Sequence, residues 1–102
     1  MLKYRIYAFW TKLTFNLTVI KYSITTLRDV NFIEDQLNYL TNPEFLKKVV
    51  LSLRKSQQIL RKWKKHVYPI VWNTVVRKTI HRTFNLIIKI EDKIEKLEGK
   101  QV

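Results

Sequence analysis

The stretch from Phe45 to Lys65, FLKKVVLSLRKSQQILRKWKK, decides how this chain is read. Divided into sevens it repeats one pattern as FLKK, SLRK and ILRK. Each unit sets a Leu (Leu46, Leu53, Leu60) before a basic pair: Lys47-Lys48, Arg54-Lys55 and Arg61-Lys62. Seven residues make about two helical turns, so the leucines stack on one face and the basic pairs on another. Thr41-Asn42-Pro43-Glu44 supplies the start: Thr41 or Asn42 caps, Pro43 suits the first turn and Glu44 complements the dipole. A helix over 43–67 follows. Its seam is Leu46, Val49, Leu53, Leu60, Trp63 and Val67, coiled-coil-like, with Ser56 as the one polar interruption.

Pro69 interrupts this pattern, since proline lacks a backbone donor and clashes with the preceding turn. The helix is expected to stop near Val67 or to bend there, and both a reversal and a kink stay open. Val76, Ile80, Thr83, Ile87, Ile90, Ile94 and Leu97 resume helical spacing, predicting a helix over 70–98. In it Asp92 and Lys96 form an i,i+4 pair and Gly99 is the C′ residue.

Upstream the pattern is mixed. Lys12 to Val19 alternates as a strand would, but Leu2, Ile6, Phe9, Leu13, Leu17, Ile20, Ile24 and Leu27 keep the 3–4 spacing of a helix face. A strand needs a partner and a turn, and nothing before Pro43 supplies one, so a helix over 2–28 is expected. Asn31 with Glu34 resembles a capping box and predicts a short helix over 31–40 that buries Phe32, Ile33, Leu37 and Leu40. The expected fold is all-α: a single domain, 1–102, forming a small bundle of about four helices, or three with one kinked at Pro69.

Composition agrees. One Gly and two Pro in 102 residues leave too little turn material for an all-β fold, and 13% aromatic residues exclude a disordered basic tail. The net charge of +12 is segregated. Residues 1–28 hold five basic and no acidic residues, and 29–44 hold Asp29, Glu34, Asp35 and Glu44 with no base. From Phe45 to Ile90 there are twelve Lys or Arg and no acid. A field of one sign implies an anionic partner. The absence of cysteine rules out a disulfide framework and a thiolate metal site. The longest uncharged run, His66 to Val76, is far short of the ~18 apolar residues of a membrane span. No signal-peptide cleavage pattern is evident. The acid-free start resembles a mitochondrial presequence, although only Arg5 and Arg28 and one Ser accompany it.

With the leucines at a positions, the basic pairs fall at b and c and Lys65 at f, all outward. One pair then recurs about every 10 Å along the helix. Such a row neutralises phosphates, whereas ordinary solvated helices mix signs. A second cluster, Arg77, Lys78, His81 and Arg82, would complete a groove if the chain folds back at Pro69. The candidate phosphate contacts are Lys47, Lys48, Arg54, Lys55, Arg61, Lys62, Lys65, Arg77, Lys78 and Arg82. No base-reading motif accompanies them. Trp63 belongs to the seam, and most of the aromatics (with it Trp10, Trp72, Tyr4, Tyr7, Tyr22, Tyr68) are read as core or inter-subunit filler. Tyr68 and Trp72 are placed for base stacking, and Lys/Arg with Trp and Tyr also suits a membrane interface.

Arg61 and His66 resemble the Arg-x4-His pair of the HEPN ribonucleases, whose small domains are helical, but the polar residue that usually follows that Arg is absent. His66 and His81 lack neighbouring carboxylates for a metal site, and no Gly-rich loop or nucleophile elbow is present. No enzyme, cofactor or metal is expected. The expectation is a basic helical protein that binds nucleic acid through its phosphate backbone, independently of sequence. It would be a subunit of a larger homo- or hetero-oligomeric nucleoprotein assembly. An intracellular or nucleoprotein-particle setting is favoured, with mitochondria as the other option. The alternatives are an accessory subunit at a membrane or in an organellar complex, anchored by the aromatic N-terminal helix, and a structural partner of an acidic protein.

Overall fold

The computed structural model describes residues 2–99. Three long helices run antiparallel in sequence, α1 (Leu2–Gln36), α2 (Pro43–Lys62) and α3, in a rod of 68 × 20 × 19 Å. Helix α3 opens with an α turn at Pro69–Val71, passes through a π turn at Trp72–Val76 and continues as regular α-helix over Arg77–Gly99. Short 3₁₀ turns at Leu37–Tyr39 and Lys64–His66 finish α1 and α2. No strand occurs among the described residues, so the all-α expectation holds, with three helices in place of about four.

The missing break lies at Asn31. Helix α1 passes through residues 29–31 without interruption, because neither Gly nor Pro stands there to stop it. Asn31 therefore caps nothing; its side-chain oxygen accepts a hydrogen bond from the Arg82 guanidinium. Phe32, expected in the core, is exposed, while Ile33, Leu37 and Leu40 pack at its margin. The acids of this region lie near the C-terminal end of α1, where the helix dipole disfavours them. Cations of α3 offset that cost: Glu34 meets Lys89 at 2.9 Å and Arg82 at 3.6 Å. Lys93 donates to the Leu37 carbonyl, capping α1 from another helix.

Helix α2 begins as its sequence predicts. Asn42 is extended and its Oδ1 accepts from the Glu44 and Phe45 N–H groups at 3.0 and 3.4 Å, with Pro43 in the first turn. Regular helix ends at Lys62, five residues before the expected Val67. The residue preceding a proline is driven out of helical geometry, and here both Val67 and Tyr68 are extended. Those two residues turn the chain through a full reversal, and Pro69 starts α3 as an N1 residue. Gly99 is the last residue of α3 and has no positive φ, so the expected left-handed C′ cap is not formed. Asp92 and Lys96 pair at 3.1 Å as expected.

The leucine seam is present, with a shift. Leu46, Val50, Leu53, Gln57 and Leu60 are the buried residues of α2. Val49, Ser56 and Trp63, the expected alternates, are only partly buried. The a-position leucines are flanked by two neighbours. Val50 and Gln57 turn to α3, where Gln57 Nε2 donates to the Ile80 carbonyl at 3.2 Å. Ser56 turns to α1 and receives the Tyr22 hydroxyl at 3.3 Å. One core cluster joins Val30, Leu46, Leu53, Leu86 and Ile90; the other, at the reversal, joins Val19, Leu60, Val67, Val71 and Val76. Burying each such side chain is worth roughly 1.5–3 kcal/mol. Trp63 is filler in the second cluster, edge-on to Tyr22 and Phe15.

Candidate nucleic-acid interface

Antiparallel pairing of α2 with α3 divides the ten candidate cations into two groups. The first base of each repeat faces α3. Lys47 pairs with Glu98, and Arg54 with Glu91, seven residues earlier on the opposing helix. The next step of that ladder falls on Phe84, which is no acid, and Arg61 forms no ion pair among the described residues. Arg82 is held by Glu34 and Asn31. Lys47, Arg54 and Arg82 are therefore compensated within the bundle. Lys47 is held protonated above its ordinary range chiefly by its hydrogen bond to Glu98.

The other seven, Lys48, Lys55, Arg61, Lys62, Lys65, Arg77 and Lys78, form no ion pair among the described residues, and all are exposed. Five of them gather at the reversal. Arg61 and Arg77 line one cleft of about 370 Å³ together with Lys64, Trp72 and Asn73. The Lys64 ammonium stands 5.4 Å from the centre of the Trp72 ring. Arg77 and Lys78 continue into an adjoining cleft of about 440 Å³ shared with Asn73, Thr74, His81 and Arg82. Lys62 and Lys65 line a third and larger cleft, about 860 Å³, walled by Phe15 and Trp63 and closed by Tyr7, Thr11 and Lys12 of α1. Lys48 and Lys55 line none of these. The site is thus a cationic pole at the turn, and the long row along α2 is mostly neutralised or dispersed.

The reversal that builds this pole is held by Asn16. Its Nδ2 donates to the Lys12 carbonyl and its Oδ1 accepts the Tyr68 N–H, both at 2.7 Å. Lys12 lies 4.9 Å over the Tyr68 ring. Tyr68 and Trp72 are alike in this: both are partly buried against the second core cluster, each with a lysine ammonium near its ring. Lys12 was not among the candidates. It shares a seven-residue register with Val19 and Thr26, both buried, and that spacing is the signal that places it against the turn. Arg61 and His66 do not share a helix: Arg61 is in the last turn of α2, and His66 ends the 3₁₀ turn, edge-on to Phe15.

Chemically the pole offers point charges and guanidinium forks beside an aromatic plane. No group of three or more His, Asp or Glu suited to a metal ion occurs among the described residues. Comparison with protein-family models, with curated proteins and with solved structures finds no match.

Proposed function

We propose that this chain is a non-enzymatic nucleic-acid-binding protein that grips the phosphate backbone at its cationic pole, independently of base sequence, as one subunit of a larger nucleoprotein assembly. One observation carries the reading. Arg61 and Lys64 from the end of α2 and Arg77 from α3 converge on one cleft beside Trp72, while Glu98, Glu91 and Glu34 hold Lys47, Arg54 and Arg82. Unpaired cations converging from two helices suit a phosphate backbone, and Trp72 adds a face on which any base can stack. Exposed Leu51, Ile59, Phe84 and Ile88 on α2 and α3 support a place in an assembly.

The test is binding to single-stranded and duplex RNA and DNA probes across a salt series. If Arg61, Lys62, Lys64, Lys65, Arg77 and Lys78 each neutralise one phosphate, log affinity falls against log salt with a slope of about −4 for a single strand and about −5 for a duplex. Affinity that barely responds to salt overturns the reading. Material absorbing more strongly at 260 than at 280 nm in the protein purified from its source would support it.

A further inference from the structure

Most of the apolar stripe of α1 faces away from the bundle, although Ile20 packs against the second core cluster. Contact with α2 and α3 is made through Asn16, Val19, Ser23, Thr26 and Val30, about 100° round the helix from the stripe. Leu2, Ile6, Phe9, Leu17 and Ile24 are each exposed by half or more. The stripe continues to Leu27, a length of about 37 Å. A contiguous apolar face of that extent marks an interaction surface.

Its charge selects the occupant. Lys3, Lys21 and Arg28 border the stripe on one side and Arg5 on the other, and all four are exposed. No acidic residue occurs before Asp29. A second copy docked stripe to stripe would set these cations against their equals with nothing to offset them. The shape of the surface narrows the choice further. Every residue of 2–12 is exposed, although Tyr7, Thr11 and Lys12 also line the cleft at the reversal. Tyr4 and Tyr7 lie on the side opposite the stripe and are among the most exposed large hydrophobic residues, and Trp10 lies at its edge. A partner helix covers one side of such a segment, whereas a lipid headgroup layer surrounds it, and Trp and Tyr rings favour that layer. No described helix is long and apolar enough to cross a membrane.

We infer that α1 lies in the plane of an anionic phospholipid surface, its Leu2–Leu27 stripe immersed and Lys3, Arg5, Lys21 and Arg28 on headgroup phosphates. This rests on α1 alone and is independent of nucleic-acid binding at the pole.

The test is flotation of the full chain with vesicles of phosphatidylcholine alone or mixed with phosphatidylglycerol. The protein should float with the mixed vesicles and not with the neutral ones. Exchanging Ile6→Gln, Leu17→Gln and Ile24→Gln together changes no charge and should lower partitioning by about tenfold or more, with helicity and nucleic-acid affinity unchanged. Arg61→Ala with Arg77→Ala should retain flotation within about twofold, because the stripe carries most of the attachment. Should the triple variant lose helicity, Ile6→Gln alone, where nothing packs, must still lower partitioning. Equal flotation of stripe variants and wild type overturns the inference, since the pole alone would then hold the vesicle. A dimer in sedimentation that the triple variant abolishes overturns it in favour of a second copy.

Discussion

Asn16 and Tyr68, fifty-two residues apart, are joined by a 2.7 Å hydrogen bond from the Tyr68 N–H to the Asn16 side-chain oxygen. Asn16 is 2% exposed, so an apolar side chain in its place leaves the Tyr68 N–H without this partner. A buried donor left unmet costs about 1–3 kcal/mol. Asn16→Leu, with the same number of side-chain heavy atoms, should therefore lower unfolding free energy by at least about that amount in urea titration. Thr18→Ala, whose exposed hydroxyl bonds only within its own helix, should stay within about 0.5 kcal/mol. The reversal also positions Arg61 against Arg77, so Asn16→Leu should weaken nucleic-acid binding at temperatures where the fold persists.

The ladder of ion pairs predicts an inequality within the basic repeat. Lys47 and Arg54 are held by Glu98 and Glu91, whereas Arg61 and Arg77 have no such partner among the described residues. Arg61→Ala with Arg77→Ala should remove two phosphate contacts and flatten the log–log salt slope by about 1.4–1.8. Lys47→Ala with Arg54→Ala removes as much formal charge but should change the slope by less than half of that. Equal losses in the two double variants, measured by fluorescence anisotropy, would show that the row along α2 binds as a whole.

Ser23 carries the one buried side-chain polar atom without a hydrogen-bond partner among the described residues. It lies fully buried where α1 meets α3, and its carbonyl oxygen is 3.5 Å from the Thr79 hydroxyl. Ser23→Ala removes an unsatisfied group and improves helix propensity, so it should stabilise the chain by about 1 kcal/mol. In a domain of this size that raises Tm by roughly 4–8 °C. Ser23→Leu should do the reverse, because the close approach of the two backbones leaves no room for it.

What was legible in the chain followed from local rules. The seven-residue spacing of Leu46, Leu53 and Leu60 fixes their burial, and Asn42-Pro43-Glu44 fixes the start of α2, because each is a matter of helical period or of one turn. The outward face of α1 was hidden by a sound rule. Leu2, Ile6, Phe9 and Leu17 do form an apolar face, but periodicity says which side of a helix is apolar, not which side its neighbours occupy. α3 takes the side with Ser23 and Thr26, whose short side chains admit Thr79 and Thr83 at close range. The site was half legible for a related reason. The basic residues can be counted in sequence, but their neutralisation cannot, since Glu91 and Glu98 reach Arg54 and Lys47 only in the antiparallel register that Pro69 establishes.

Glu34 gives the fold a testable acid limb. Near the C-terminal end of α1 the helix dipole opposes its charge, yet its carboxyl is held below the ordinary 4.5, first by the hydrogen bond from Lys89 and then by the charges of Lys89 and Arg82. A carboxylate whose folded value is depressed adds stability above its unfolded value and loses that stability as pH falls through the folded one. The side chain is about a third exposed, so solvent screening limits the contribution to roughly 0.5–1 kcal/mol. Wild type should therefore exceed Glu34→Gln by that margin at neutral pH, and the two should converge below the folded value of Glu34 as pH is lowered from 4.5. Raising salt at neutral pH should shrink the same gap, since both pairs reach solvent. Parallel stability curves for wild type and Glu34→Gln at all acid pH values would show that Lys89 and Arg82 do not hold this carboxylate.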